Sequence, residues 1–190
     1  MKKLHSPNST IIHICQQLHE KNLVSAYGGN VSLRLGAKVV ITPKGSSLVE
    51  ITEDDLVVLD MHGNVLFGTH QPSSETMLHL KIYNKRQDVN AVVHTHPPAS
   101  TAFAYTNKTV KPINPESQHF LREIPVVPYH VFGTKELADA VAQYIMSYDA
   151  VLLEKHGLVT VGSDLYKAYN LSELAEETAL MNLYVKILGV

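Results

Sequence analysis

Residues 91–98 place the strongest constraint on how this chain can fold. Three apolar residues lead directly into His94 and His96, and two prolines then end the extended run. In a strand the side chains of residues i and i+2 point to the same face, so both imidazoles project together from the strand end. That arrangement suits two ligands on one metal ion, although an isolated His-x-His pair is also typical of a solvated strand end.

Length and composition indicate one well-packed domain over residues 1–190. The chain is 45% hydrophobic and 18% charged, which suits a globular protein and excludes a disordered one. The net charge of −2 is spread without a basic stripe, which argues against nucleic acid as a partner. No apolar run approaches the roughly 20 residues of a membrane span, and no signal-peptide pattern is present. We therefore expect a cytoplasmic protein that does not bind membranes.

Apolar periodicity and capping residues predict helices and strands that alternate along the chain. Ser6 and Pro7 suit the cap and first position of a helix over about 7–22. Further helices are predicted over about 72–85, 98–105, 134–145 and 164–188. Besides the strand with the paired histidines, strands are predicted over 31–35, 38–42, 56–59, 65–67, 126–127, 150–153 and 157–161. This pattern, with its hairpin-like pairs, indicates a partly antiparallel α/β sheet covered by helices on both faces.

Three further positions carry simpler expectations. Residues 107–128 hold four prolines and little periodicity, so we predict a long loop apart from its one short strand. Cys15 is the only cysteine and lies among apolar helix residues, so we expect a buried thiol without a disulfide. His62 lies in a predicted hairpin loop and should face solvent.

A third histidine and a carboxylate complete a candidate metal site. His156 lies between two apolar strand-like runs, and beside His94 and His96 it would leave an open position on zinc or another divalent ion. On its own, a histidine in such a loop is as easily structural. Glu75 can supply a fourth ligand or an acid/base, because a nearby divalent cation favours the ionised carboxylate.

Three small-residue stretches suggest a phosphate site. Residues 28–32 and 42–46 are loops beside strands, where backbone N–H groups and hydroxyls can approach an anion. Ser73 and Ser74 are predicted at a helix N-terminus, which adds donors and a favourable dipole. Each stretch alone is equally typical of an ordinary turn.

Taken together, these motifs resemble those of a known family. Gly-Gly-Asn-Val-Ser, Ile-Thr-Pro-x-Gly, Pro-Ser-Ser-Glu, Val-Val-His-x-His and His-Gly occur in the order typical of the class II aldolase and adducin superfamily. The chain is most similar to the L-fuculose-1-phosphate aldolase type, and the resemblance covers nearly all of it. It implies a three-layer α/β/α fold with a central, largely antiparallel sheet, and a homotetramer with active sites at subunit interfaces.

The resemblance also implies roles for individual residues. It places His94, His96 and His156 on a zinc ion, or on another divalent metal, with Glu75 as a metal-adjacent acid/base. The positions that match the family's substrate-phosphate site are Gly29, Asn30, Thr42, Gly45, Ser73 and Ser74.

One loop departs from the family pattern. Family aldolases donate a tyrosine across the subunit interface from the loop that corresponds to residues 113–120, and no tyrosine is present there. Glu116 and His119 are candidate proton-transfer residues in its place, and each is as readily an ordinary loop residue. This departure leaves the substrate and the reaction open.

The resemblance implies a lyase that reversibly cleaves a ketose phosphate such as fuculose 1-phosphate. The products would be dihydroxyacetone phosphate and a small aldehyde such as lactaldehyde. Pentulose-phosphate 4-epimerases and sugar-phosphate dehydratases or decarboxylases use the same scaffold, so the shared motifs do not separate these activities. A non-catalytic, adducin-like module is the remaining alternative, but such a module has no need for the complete set of His94, His96, His156 and Glu75.

Overall fold

The computed structural model describes residues 6–189 as a sheet between two helical layers. The helices are α1 (Pro7–Glu20), α2 (Thr76–Lys85), α3 (Pro98–Tyr105), α4 (Pro115–Phe120), α5 (Lys135–Tyr144) and α6 (Leu165–Ile187), with a 3₁₀ turn at Glu53–Asp55. The strands are β1 (Asn30–Leu35), β2 (Lys38–Ile41), β3 (Val57–Asp60), β4 (Val65–Phe67), β5 (Ala91–Thr95), β6 (Val126–Val127), β7 (Ala150–Leu153) and β8 (Gly157–Gly162).

The eight strands form one sheet in the order β4-β3-β2-β1-β5-β8-β7-β6. Every neighbouring pair is antiparallel except β6 and β7, which are parallel. The strand that carries the paired histidines, β5, lies in the centre between β1 and β8. This topology confirms the expected α/β fold with a largely antiparallel sheet.

Successive residues of β5 alternate between the two helical layers, as side chains in a strand must. Val93 packs into a core that contains residues of α1 and α6, whereas Val92 packs into a second core with α2 and α5. His94 follows Val93 and therefore lies on the α2 side of the sheet. On that side, the N-terminal end of α2 approaches the ends of β1 and β5.

Most element boundaries agree with the predictions because the capping residues act as expected. The Ser6 side chain accepts the Ser9 N–H at the start of α1, and Asp164 does the same for Lys167 at the start of α6. Cys15 is fully buried, and burial raises the pKa of its thiol. His62 is exposed, as predicted.

The prediction of an irregular segment over residues 107–128 is wrong in one place, where α4 forms. The Asn114 side chain accepts the Ser117 N–H at 2.8 Å, and Ser117 Oγ accepts the backbone N–H of Asn114 at 3.3 Å. This reciprocal capping, with Pro115 at the first helical position, stabilises a short helix that has no apolar periodicity.

The prediction that a helix opens at residue 72 is also wrong, because α2 begins at Thr76. The preceding segment is extended instead, since Pro72 bridges to Pro43 and the Ser73 N–H donates to the Thr42 carbonyl at 3.2 Å. Within residues 6–189, no helix has the length and apolar character needed to cross a bilayer.

Candidate functional site

Three histidines from two neighbouring strands converge at one end of the sheet. His94 and His96 come from the end of β5, and His156 precedes β8 in the tight turn after β7. The antiparallel pairing of β5 with β8 places Thr95 opposite Leu158, so the two ends meet. The ligand nitrogens of the three rings all lie within 4.8 Å of one another. The sequence-predicted trio is therefore assembled by strand pairing.

The tautomer of His94 is fixed by the backbone. Its Nδ1 lies 2.8 Å from the carbonyl oxygen of Leu158, and because a carbonyl only accepts, Nδ1 carries the proton. Nε2 of the neutral ring then holds a lone pair, 3.0 Å from Nε2 of His96 and 3.3 Å from Nε2 of His156. Metal-binding histidines are usually oriented by such a bond from the outer ring nitrogen.

Glu75 adds a carboxylate to the same cluster. It precedes α2, is only 4% exposed, and its Oε2 lies 3.1 Å from Nε2 of His94. A carboxylate and an unprotonated ring nitrogen are both acceptors, so a shared cation satisfies this pair and a hydrogen bond does not. Oε1 is buried, has no hydrogen-bond partner, and lies 3.9 Å from Nδ1 of His156. The four side chains thus fit a divalent metal ion.

Burial keeps two of the rings in the metal-binding form. Desolvation lowers the pKa of His94 to about 3, and the neighbouring His156 acts in the same direction. Desolvation likewise lowers the pKa of His96 to about 3, with His94 and His156 contributing. Both imidazoles are neutral near pH 7, which is the state that coordinates a metal.

Glycines leave room for the His96 ring on two sides. A methyl group at Gly28 would lie 2.7 Å from Nδ1 of His96, and one at Gly157 would lie 2.5 Å from its Cδ2. Gly29 has a φ of +84°, and a methyl group there would lie 2.7 Å from the His94 carbonyl oxygen. The glycines of the sequence motifs therefore shape the slot that holds the second histidine.

A cavity of about 270 Å³ opens beside this cluster. It is lined by Tyr27, Gly29, Asn30, Pro43, Lys44, Gly45, Ser46, Ser73, Ser74, Glu75, His96, Phe132 and His156. Five of the six positions expected to bind phosphate thus line one cavity together with residues of the candidate metal cluster. Lys44 adds a positive charge, which favours an anionic ligand.

Thr42 is the expected phosphate residue that does not line the cavity. Its side chain is fully buried, and its hydroxyl accepts the backbone N–H of Val31 at 3.2 Å. Its carbonyl accepts the N–H of Ser73, so Thr42 is joined to the site through that residue. A direct contact of Thr42 with phosphate stays a prediction.

Glu116 and His119 lie on α4, away from the lining of this cavity. Glu116 lines a cavity beside α6, and His119 lines another with Arg86 and Arg122. Neither residue joins the three histidines within the described part of this chain. Their role in proton transfer stays a prediction.

The sequence interpretation missed a buried histidine that connects to the site. His79 of α2 is fully buried, and its Nε2 lies 2.5 Å from Oδ1 of Asn30. Asn30 in turn donates from Nδ2 to Oε2 of Glu75 at 3.0 Å. The signal was present as the four-residue spacing of Glu75, His79 and Tyr83, which places them on one helix face.

Comparison with known families matches residues 9–183 to the model of the "Class II Aldolase and Adducin N-terminal domain". Among individual proteins, the chain is 42% identical over 178 residues to L-fuculose phosphate aldolase of Methanocaldococcus jannaschii, covering 92% of this chain and 96% of that protein. It is also 34% identical over 175 residues to 3-oxo-tetronate 4-phosphate decarboxylase of Haemophilus influenzae, covering 89% and 83%.

A solved structure shows that the similarity also holds for the fold. The structure of an L-fuculose 1-phosphate aldolase superposes with a TM-score of 0.90 at 32% sequence identity, covering all of this chain and 92% of the other. The similarity in sequence and in fold therefore extends over nearly the full length of both chains.

Proposed function

Because the chain belongs to the class II aldolase and adducin family, we propose that it is a zinc-dependent aldolase acting on a ketose phosphate. The expected family and fold are confirmed. Relatives of the chain are named as aldolases, which are lyases, and this confirms the expectation of an enzyme of that class. The substrate and the metal are the parts that remain proposals.

The observation that carries the proposal is the convergence of a metal-binding cluster and an anion-binding cavity. Three histidines and Glu75 present electron-rich atoms to one point, and the adjoining cavity offers Lys44, serine hydroxyls and glycine-rich backbone. A phosphorylated sugar would use both parts, because donors hold its phosphate and a cation would stabilise negative charge on its carbonyl and hydroxyl oxygens.

His94, His96, His156 and Glu75 are the residues that would hold the zinc ion, whose preferred ligands are nitrogen, sulfur and carboxylate oxygen. A bound divalent cation supplies Lewis-acid stabilisation of the negative charge that develops on substrate oxygens during carbon–carbon cleavage. The protein contributes by fixing the His94 ring through Leu158 and by keeping that ring neutral.

Glu75 is the proposed acid/base. Asn30 occupies its Oε2 through a 3.0 Å hydrogen bond, whereas Oε1 is buried and has no hydrogen-bond partner. Oε1 is therefore the atom at which we propose that the proton is held and moved between carboxylate and substrate carbon. The Asn30 bond limits rotation of the carboxylate and so keeps Oε1 directed into the site.

The substrate phosphate is proposed to lie against Gly29, Asn30, Gly45, Ser73 and Ser74, with Thr42 as the sixth expected residue. Gly45 has a φ of +70°, a left-handed backbone conformation that residues other than glycine rarely adopt. The chemistry of a fuculose-1-phosphate-like ketose fits this proposal, and it would yield dihydroxyacetone phosphate and a small aldehyde such as lactaldehyde. The M. jannaschii relative is named for a fuculose phosphate substrate.

A sugar-phosphate decarboxylase is a second candidate, because one relative at 34% identity carries that name. Epimerase and dehydratase activities remain alternatives on the same scaffold. All of these use the same cluster and cavity, so only product identification separates them.

A panel of sugar phosphates tests the proposal. Fuculose 1-phosphate, rhamnulose 1-phosphate, ribulose 1-phosphate, ribulose 5-phosphate and methylthioribulose 1-phosphate would be incubated with zinc-loaded and chelator-treated protein. Release of dihydroxyacetone phosphate would be followed through NADH oxidation, and other products by mass spectrometry. We expect chelator-sensitive release from at least one ketose 1-phosphate.

The metal is tested by elemental analysis of purified protein. We expect one zinc per chain in the natural protein, loss of zinc in His94→Ala, and retention in His62→Ala, whose histidine is an exposed turn residue. If no compound in the panel yields dihydroxyacetone phosphate while one is epimerised or dehydrated, the aldolase proposal is rejected. An adducin-like role is supported instead if neither metal nor turnover is found.

Three broader expectations belong to the same proposal. We propose that residues 1–190 are one domain, which the single eight-stranded sheet supports. We also propose a homotetramer with active sites at subunit interfaces and a cytoplasmic location. Light scattering after size-exclusion chromatography would measure the number of chains, and a mass of one chain would contradict the tetramer.

A further inference from the structure

Helix α2 and strand β1 lie side by side beneath the candidate site, and their polar side chains recur at similar intervals. Glu75, His79 and Tyr83 are four residues apart, so successive members are about 6 Å apart along α2 and its cap. Asn30 and Ser32 are two residues apart on β1, a step of about 6.7 Å. Because the two steps are similar, side chains of the helix and the strand can alternate along one line.

The side chains are joined in that alternating order. Nε2 of His79 lies 2.5 Å from Oδ1 of Asn30, and its Nδ1 lies 2.6 Å from Oγ of Ser32. The same hydroxyl lies 2.6 Å from the phenol oxygen of Tyr83. With the bond from Asn30 to Glu75, the row runs unbroken from Tyr83 to the proposed acid/base. We call these five residues the polar row.

The direction of every hydrogen bond in the polar row follows from the orientation of the Asn30 amide. Its Nδ2 lies against Oε2 of Glu75 and donates to that oxygen, while its Oδ1, which only accepts, lies against His79. His79 must then donate from Nε2, which leaves Nδ1 to accept from the Ser32 hydroxyl. Ser32 has given its only proton, so it accepts from Tyr83. One proton arrangement satisfies all four bonds.

Burial protects this arrangement from water. Ser32, His79 and Tyr83 are each 0% exposed, and Asn30 is 6% exposed. Burial lowers the pKa of His79 to about 3, so its ring is neutral and has one donor and one acceptor nitrogen near pH 7. Arg34 continues the helix-to-strand contacts beyond Tyr83 by donating to its backbone carbonyl at 3.0 Å.

We propose that His79, Ser32 and Tyr83 are positioning residues that set the direction of the Asn30 amide and thereby the orientation of Glu75. The inference rests on the proposed function only in assigning Glu75 as the acid/base. An asparagine amide can turn over at small steric cost, and the reversed amide would place Oδ1 against the Glu75 carboxylate. The Nε2–H of His79 prevents this, because the reversed amide would present its NH₂ group to another donor.

The first test is structural and needs neither metal nor substrate. Histidine-selective ¹⁵N NMR on the metal-free full chain reports which ring nitrogen of His79 carries the proton, with the His79→Gln spectrum assigning the resonance. We expect the Nε2–H tautomer near pH 7. An Nδ1–H tautomer or a charged ring would overturn the proposal, because the row would then run in another direction.

The second test uses turnover, by the zinc-loaded protein, of a ketose phosphate from the panel that the natural protein cleaves. His79→Leu removes the donor to Asn30, and we expect kcat to fall about 10–100-fold with zinc still bound, as is typical when a partner of an active-site group is lost. His79→Gln keeps an N–H donor near the Nε2 position, so we expect it to recover most of that loss. Equal kcat values for the two variants would overturn the proposal.

Ser32→Ala and Ser172→Ala form a matched pair that decides the question if His79→Leu fails to fold. Both serines are 0% exposed, and each makes a 2.6 Å side-chain hydrogen bond. Ser172 bonds to Thr160 on the opposite face of the sheet from His94. We expect both variants to lower the unfolding temperature, but only Ser32→Ala to lower kcat; equal kcat would contradict the polar row.

The two proposals fail in different ways. If the natural protein releases dihydroxyacetone phosphate from no ketose phosphate of the panel, the proposed function is at fault, and the tautomer of His79 still decides the orientation of the polar row. If the protein cleaves one of these substrates and the variants behave alike, the proposed function stands and the positioning role is rejected.

Discussion

Asn30 and Glu75 are linked by a hydrogen bond of 3.0 Å from the amide nitrogen to Oε2, which leaves only Oε1 of the carboxylate without a partner. Asn30 lies opposite His94 in the pairing of β1 with β5. The pairing of these two strands therefore places the amide beside His94, and the hydrogen bond from the amide adds the carboxylate. The relationship gives the two oxygens of Glu75 different environments and so different expected roles.

Glu75→Gln should keep zinc and lose turnover. The amide retains the shape and the acceptor for Asn30 but cannot accept the proton, so we expect kcat to fall at least about 100-fold. Elemental analysis and steady-state kinetics would measure the two effects. Glu176→Gln is the matched control, because Glu176 is also buried but accepts the N–H groups of Ala99 and Ser100. The control should lose stability and keep kcat; wild-type turnover in Glu75→Gln would remove Glu75 from the mechanism.

Ser73→Ala should raise KM for a phosphorylated substrate by about 10–100-fold, because a hydrogen bond to a charged group is worth roughly 1.5–3 kcal/mol. Inorganic phosphate should also become a weaker competitive inhibitor. Thr42→Val is the comparison: it leaves the buried Val31 N–H without its acceptor, so stability should fall by about 1–3 kcal/mol while KM is unchanged. If Thr42→Val raises KM as strongly, its hydroxyl contacts the phosphate directly.

Gly28→Ala should weaken zinc binding. The added methyl group would lie 2.7 Å from Nδ1 of His96 and would displace that ring, so we expect affinity to fall about 10–100-fold. Competition with a chromophoric chelator would measure it. Gly36→Ala is the control, because its methyl group meets nothing within 4 Å. At its φ of +62° the control should lose about 1 kcal/mol of stability and keep its zinc affinity. Equal affinities for the two variants would contradict the slot around His96.

As the pH is lowered, the metal-free protein should begin to lose stability at a pH well above the range in which carboxylates titrate. Burial lowers the pKa of His79, His94 and His96 to about 3, below the ordinary value of about 6.5. Between these values the unfolded chain binds more protons, so the stability is fully present above about pH 6.5 and is lost as pH falls toward 3.

Urea unfolding with chelator at about pH 7, 6 and 5 would measure this loss, with an upper limit of about 1.4 kcal/mol per pH unit for each histidine. His79→Gln should reduce the pH dependence of the unfolding free energy by the contribution of one histidine. The same pH dependence in both proteins, or none in the natural protein, would contradict the buried neutral state of His79.

Much of the fold and the histidine cluster could be predicted because each follows from local spacing. Alternation in β5 places His94 and His96 on one face, and the turn before β8 returns His156 to the same end. Caps such as Ser6 and Asp164 mark helix starts by hydrogen bonds within a few residues.

The remaining features depend on contacts that local spacing does not contain. Helix α4 is held by one reciprocal capping pair, Asn114 with Ser117, and lacks an apolar stripe. Helix α2 starts later than predicted because Pro72 and Ser73 pair with Pro43 and Thr42, the residues just after β2. The polar row needs the register of α2 against β1, and no property of either segment alone specifies that register.

The bond from His94 to Leu158 also orders events during folding. His94 and His156 are 62 residues apart in the chain, and both the third ligand and the orientation of the first require β5 and β8 to be paired. Bringing the ends of so long a segment together costs conformational entropy, so we expect this pairing to form late in folding. The proposed ligand set is consequently complete only after this pairing, so if the chain binds zinc as proposed, the rate of zinc uptake during refolding would report when the centre of the sheet has formed.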